Sequence, residues 1–232
     1  MNLKKQIFAS MEWSFKELGL LLLLVLVIVP VTIEYLLQDF LHEWFQNSLY
    51  SGTLTGLIMA IIFIAGVYFI ALKPHELRWT DNGLQAFSKS YWGFIVIWFI
   101  ALIASSILIL ILMELWGIGT ENSKTESLQQ NISLLTILIG FVSAAIVSPV
   151  YEEIFYRGFL YKWFRVKWGV GAGLILSSII FTIVHIPTYN TLPVNFVSGV
   201  ICAWCYEKTG SIVPRMIVHG GFNGLAVILT AL

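Results

Sequence analysis

Tyr91–Trp116 runs for 26 residues with a single charge, Glu114, near its far end. That exceeds the ~20 apolar residues needed to cross a hydrocarbon core. In lipid, no water satisfies the backbone N–H and C=O groups, so such a run must bond to itself as a helix. Leu18–Leu37 and Thr53–Leu72 are runs of the same kind, and Ile132–Val147 leads into a fourth. Shorter runs, punctuated by Gly and Pro, cover about 171–186 and 192–206, and a last run covers about 212–232. Charged residues make up 11% of the chain, against roughly a quarter in soluble domains. The predicted fold class is therefore all-α: a polytopic membrane protein with about seven transmembrane helices and one membrane domain. Leu18–Leu37 is long for a signal-peptide core and lacks a small-residue cleavage site after it, so it is expected to stay as the first span.

The basic residues set an orientation. With the N-terminus in the cytoplasm and seven crossings, the inner face collects Lys4, Lys5, Lys16, Lys73, Arg78, Lys89, Lys162, Arg165, Lys167, Lys208 and Arg215. The outer face receives Lys124 alone, as the positive-inside rule requires. An eighth helix lying in the interface would escape this test. Residues 1–17 mix Lys4, Lys5 and Lys16 with Ile7, Phe8, Met11, Trp13 and Phe15. They read as an amphipathic cytoplasmic segment, followed by N-terminal membrane helices over 18–131 and a second membrane portion over 132–232. Cys202 and Cys205 have C-x-x-C spacing. With no second pair to complete a metal site, they read as two small apolar residues of a helix.

The exception to the apolar pattern is Ser148–Gly158, where Glu152, Glu153 and Arg157 follow directly on a spanning run. Ionisable groups at such depth are expensive and mark function. Glu153 and Arg157 are four apart with the acid first, the favourable order for a pair on one helix face. Glu152 is offset by ~100° and lacks that cation. The spacing thus gives the acids different jobs: Glu153 orients, and Glu152 is the candidate general base. Pro149 removes a backbone donor and is expected to kink the helix. Further on, Phe181 and His185 share one face, and His219 and Asn223 share another, with Gly220, Gly221 and Gly224 around them. A carboxylate and a histidine can deprotonate water, while a second histidine and an amide donate to an oxyanion. This inventory suits hydrolysis of an amide bond within the membrane. No Gly-x-Ser-x-Gly and no His-Glu-x-x-His is present. Glu152, His185 and His219 would supply three ligands to a metal such as zinc, and spacing does not separate metal-bound water from metal-free activation.

The ordered set Glu152-Glu153-x-x-x-Arg157, Phe181-x-x-x-His185 and His219-x-x-x-Asn223 resembles the CPBP family of CAAX proteases and bacteriocin-processing enzymes, also called the Abi family. The resemblance covers about residues 135–230. It implies an α-helical intramembrane endopeptidase with 132–232 as its catalytic core. Glu152 and His185 would activate water, His219 and Asn223 would line the oxyanion site, and Glu153–Arg157 would support them beside Phe181. It favours metal-free, glutamate-dependent chemistry over a divalent metal, so no cofactor is expected. The expected partners are a peptide or membrane-anchored protein substrate and the lipid bilayer, with no nucleic acid. The expected location is a bacterial plasma membrane. The competing class is a non-catalytic membrane module for bacteriocin self-immunity or for regulation of a partner. A proton-coupled transporter would need repeated halves, and residues 1–130 hold no second Glu/His set.

Overall fold

A computed structural model describes residues 7–8, 12–119, 128–129, 132–186 and 188–231. Lys4, Lys5, Met11 and Lys124 lie outside these residues. The described residues form helices joined by turns, with no strand among them. Four helices are long and apolar enough to cross a membrane: α1 (Phe15–Phe45), α2 (Ser48–His75), α3 (Lys89–Leu115) and α4 (Leu134–Ile183). Two helices of 18 residues, α5 (Leu192–Thr209) and α6 (Val213–Thr230), complete the bundle.

Helix ends follow local chemistry. Ser14 and Glu17 form a capping box at the start of α1, with the Glu17 carboxylate accepting from Ser14 N at 2.7 Å. α1 runs past the expected limit at Leu37 to Phe45, where Gln46 takes a left-handed conformation (φ 49°). Asn47 then caps α2 by accepting from Leu49 N and Tyr50 N. α4 holds two of the sequence-predicted spans. Its limbs meet at Gly169, whose φ of 89° and ψ of 175° suit only glycine.

Pro149 leaves α4 continuous rather than breaking it. An α-helical turn, Ser148–Glu152, separates two π-helical stretches, Val142–Val147 and Glu153–Tyr161. Lacking an N–H, Pro149 cannot donate to Ala145 O or Ala144 O, its i−4 and i−5 carbonyls. α6 meets both: Asn223 Nδ2 donates to Ala144 O at 3.0 Å, and Gly220 lies where an added Cβ would strike Ala145 O.

Several charges assigned to loops by sequence lie inside the protein. Lys162 is buried and donates to Asp81 O at 2.7 Å. Glu207 belongs to α5 rather than to a turn; it is buried and accepts from Tyr161 Oη (2.7 Å) and Arg165 Nε (3.1 Å). Arg215 is fully buried. These groups remain inside because each has a built partner. Of the N-terminal segment, Ile7, Phe8 and Trp13 are core residues. Trp13 Nε1 donates to Ala71 O at 2.7 Å, and the Arg165 guanidinium lies 4.5 Å from the Phe8 ring centroid.

Candidate active site

Every residue of the π-helical stretch Glu153–Tyr161 is buried. A widened helix of large side chains fits here because a turn from outside fills its one gap: Gly158 admits Asn82, whose Nδ2 donates to Ile154 O at 3.0 Å.

The two glutamates occupy different environments. Glu153 is sealed, with 0% of its side chain exposed. Its Oε2 lies 3.3 Å from Arg157 Nε, the pair expected from sequence. Its Oε1 lies 2.9 Å from His219 Nδ1 and 3.3 Å from Arg215 Nε. Arg157 Nη2 also donates to Gly199 O at 3.3 Å, tying α4 to α5. Glu152 keeps 12% of its side chain exposed. Its Oε1 accepts from Ser148 Oγ at 2.5 Å, one helical turn earlier. Its Oε2 makes no hydrogen bond within the protein and lies 3.7 Å from His219 Nε2. The acid without a cation of its own is the one whose second oxygen is left without a hydrogen bond inside the protein.

Phe181 is the shared wall. Its ring centroid lies 4.9 Å from that of His185, 6.3 Å from that of His219 and 5.1 Å from that of Tyr156. The Arg157 guanidinium sits 4.5 Å from the same ring, a cation–π contact in a dry site. His185 Nδ1 lies 2.7 Å from Phe181 O. A carbonyl only accepts, so Nδ1 carries the hydrogen. Asn223 is held by Ala144 O through one amide hydrogen, and its amide has a second to give.

Of the seven residues singled out by sequence, Glu152, Glu153, Arg157 and Phe181 are on α4, His185 is in the turn just after it, and His219 and Asn223 are on α6. The sequence reading missed Ser148 and Arg215. Arg215 carried a usable signal: it stands four residues before His219 and so shares its helix face. Among the described residues, no three His, Cys, Asp or Glu side chains come together as a metal-ligand group. The trio Glu152, His185 and His219 does not fit as a metal site in this arrangement.

Residues 134–225, which contain the whole site, match the family model described as Type II CAAX prenyl endopeptidase Rce1-like. The chain is 28% identical over 189 residues to the Bacillus subtilis (strain 168) protein named "Putative membrane peptidase YdiL", covering 79% of this chain and 74% of that one. It is 25% identical over 178 residues to UPF0177 protein YbdI of Lactococcus lactis subsp. lactis (strain IL1403), covering 74% and 92%. A second protein of that strain, UPF0177 protein YxdF, is 23% identical over 168 residues, covering 72% and 88%. No solved structure matches the chain.

Proposed function

We propose, from the match of residues 134–225 to the family model described as Type II CAAX prenyl endopeptidase Rce1-like, that this chain hydrolyses a peptide bond in a peptide or membrane-anchored protein, with Glu152 as general base. The observation that carries this reading is the inequality of the two glutamates. Glu153 has an arginine within 3.3 Å of each oxygen, whereas Glu152 has one oxygen steadied by Ser148 and the other buried without a hydrogen bond inside the protein, 3.7 Å from His219 Nε2. Glu152 takes a proton from water, and His185, across the Phe181 wall, orients that water. The oxygen bonds to the scissile carbonyl carbon, and the carbonyl π pair moves to its oxygen. The second amide hydrogen of Asn223, with Nε2–H of His219 when that ring is doubly protonated, donates to the resulting oxyanion. The intermediate collapses as the C–N bond breaks, and Glu152 returns its proton to the leaving amine nitrogen. Glu153 and Arg157 hold the arrangement in place.

The proposed orientation has the N-terminus inside and seven crossings, counting the two limbs of α4 separately together with α5 and α6. Its support is the basic residues that stay exposed: Lys16, Lys73, Arg78, Lys89, Lys167 and Lys208. The bacterial relatives fit a plasma-membrane location.

The test uses purified protein in lipid nanodiscs and a pool of internally quenched peptides of randomised sequence. Wild type cleaves peptides from the pool, with or without a chelator. Glu152→Gln and His185→Ala remain inserted and folded but cleave at least about 10²-fold more slowly. Cleavage near the wild-type rate by either folded variant sinks the assignment. Loss of cleavage in chelator replaces the metal-free mechanism with a metal-dependent one. A biological effect undiminished in Glu152→Gln points instead to a binding module.

A further inference from the structure

We infer that Arg215 is a positioning residue of this site: by clamping Glu153 it decides which nitrogen of His219 carries hydrogen and which is left for the reacting atoms. The inference rests on the peptidase reading for its effect on turnover, but not for its effect on His219.

Arg215 belongs to the first turns of α6, is completely buried and shares a helix face with His219. Its Nε lies 3.3 Å from Glu153 Oε1, and its Nη2 donates to Ser198 Oγ at 3.2 Å. Its Nε and Nη1 are buried without a hydrogen bond, so the guanidinium has not been placed to satisfy itself. Its position is explained by charge. Glu152 and Glu153 are adjacent acids, and Arg157 and Arg215 both pair with Glu153, so two positive charges offset the two acids. Without Arg215, the set carries an excess negative charge in a low-dielectric setting, which is strongly disfavoured.

The balance fixes a hydrogen-bond direction. Glu153, gripped by Arg157 on Oε2 and by Arg215 on Oε1, stays a carboxylate and only accepts. The 2.9 Å contact then requires hydrogen on His219 Nδ1. In the neutral ring this leaves Nε2 as a lone pair, 3.7 Å from Glu152 Oε2. Nε2 is left as an acceptor beside an acceptor oxygen. Glu153 is thus a second acid kept out of proton transfer, and Arg215 keeps it there.

The test is nitrogen NMR of protein labelled with ¹⁵N-histidine in nanodiscs, with the His219 signals assigned by their loss in His219→Gln. Wild type shows His219 with hydrogen on Nδ1. Arg215→Met shows a mixture of tautomers, and kcat on one peptide chosen from the pool falls by about tenfold or more, with KM within about twofold. Arg215→Lys, which keeps the charge, recovers the wild-type tautomer and most of the rate. Adding Arg215→Met to Glu153→Gln costs little beyond Glu153→Gln alone, because the two act through one interaction. A merely structural arginine would lower stability while leaving the tautomer and the rate per folded molecule unchanged; that outcome in Arg215→Met, or additive losses in the double variant, overturns the inference. Should Arg215→Met not fold, loss of the Nδ1 hydrogen in folded Arg215→Lys overturns it, and its retention sustains it. Should wild type cleave no peptide, the peptidase reading fails while the His219 spectrum still decides the role of Arg215.

Discussion

Nδ1 of His219 lies 2.9 Å from Oε1 of Glu153, joining residues 66 positions apart in the chain. The same imidazole turns Nε2 toward Glu152, so one ring stands between two consecutive glutamates. Their substitutions should separate accordingly. Glu153→Gln leaves two buried guanidiniums facing a neutral amide, and breaking a buried pair by removing one partner costs about 3–5 kcal/mol. Glu152→Gln removes no ion pair to an arginine and keeps a group that accepts from Ser148, so its cost is about 1 kcal/mol or less. Thermal unfolding in detergent should show a large drop for Glu153→Gln and a small one for Glu152→Gln. Peptide cleavage by folded Glu152→Gln should fall by about 10²–10⁴-fold, the usual contribution of a general base.

The division of labour between these acids is legible in the sequence because an i,i+4 pair is a local relation. Arg157 is within one helical turn of Glu153, and no tertiary knowledge is needed to join them. Arg215 shows where that reasoning stops. It follows a Pro after a Thr-Gly-Ser turn, and by position alone it counts as a loop cation marking the inner face. Its burial depends on Glu153 having a free side toward α6, which spacing does not reveal. Lys162 and Glu207 fail the same way: each looks interfacial, and each is drawn inward by a partner more than 40 residues away. The break between spans at Gly169 was readable from its flanking glycine and aromatic residues. The link between Pro149 and Asn223 was not, since it concerns carbonyls that Pro149 leaves without its donor on a different helix.

Gly220 is where that link can be broken. An added Cβ would strike the Ala145 carbonyl oxygen, a backbone atom that cannot swing away. Gly220→Ala should push α6 from α4, lengthen the Asn223–Ala144 hydrogen bond and destabilise by about 1–3 kcal/mol. Gly221→Ala is the control, since its Cβ meets only the Phe99 ring, at 3.2 Å. Denaturation in detergent should rank Gly220→Ala well below Gly221→Ala. Peptide cleavage should follow the same order, because Asn223 moves with α6.

Gly169 tests the hinge of α4 without steric contact. Nothing lies within 4 Å of a Cβ placed there, but its φ is +89°. Gly169→Ala therefore carries a purely conformational penalty of about 1–3 kcal/mol. Gly171→Ala, two residues on with equal space and an ordinary φ, should be neutral or slightly stabilising. Equal melting temperatures for the two variants would show that the limbs of α4 do not depend on that angle.

Glu207 should govern the N-terminal segment rather than catalysis. Its carboxylate accepts from Tyr161 Oη and from Arg165 Nε and Nη2, and Arg165 Nη1 in turn donates to Phe8 O at 3.4 Å. The Arg165 guanidinium also lies over the Phe8 ring. Glu207→Gln removes the charge that aims Arg165, and hydrogen bonds to charged groups contribute about 1.5–3 kcal/mol each. Phe8 then keeps, among the described residues, its aromatic contacts with Tyr161 and Tyr206 and its place in the core. Local opening that weakens by one such bond raises the open population about tenfold or more. Limited trypsinolysis in nanodiscs should therefore cut within the first 16 residues several times faster in Glu207→Gln. The charge set around Glu153 includes neither Arg165 nor Glu207, so peptide cleavage by the uncut variant should stay within about twofold of wild type. An unchanged cutting rate would mean that Trp13, anchored on Ala71 O, holds the segment without help from Arg165.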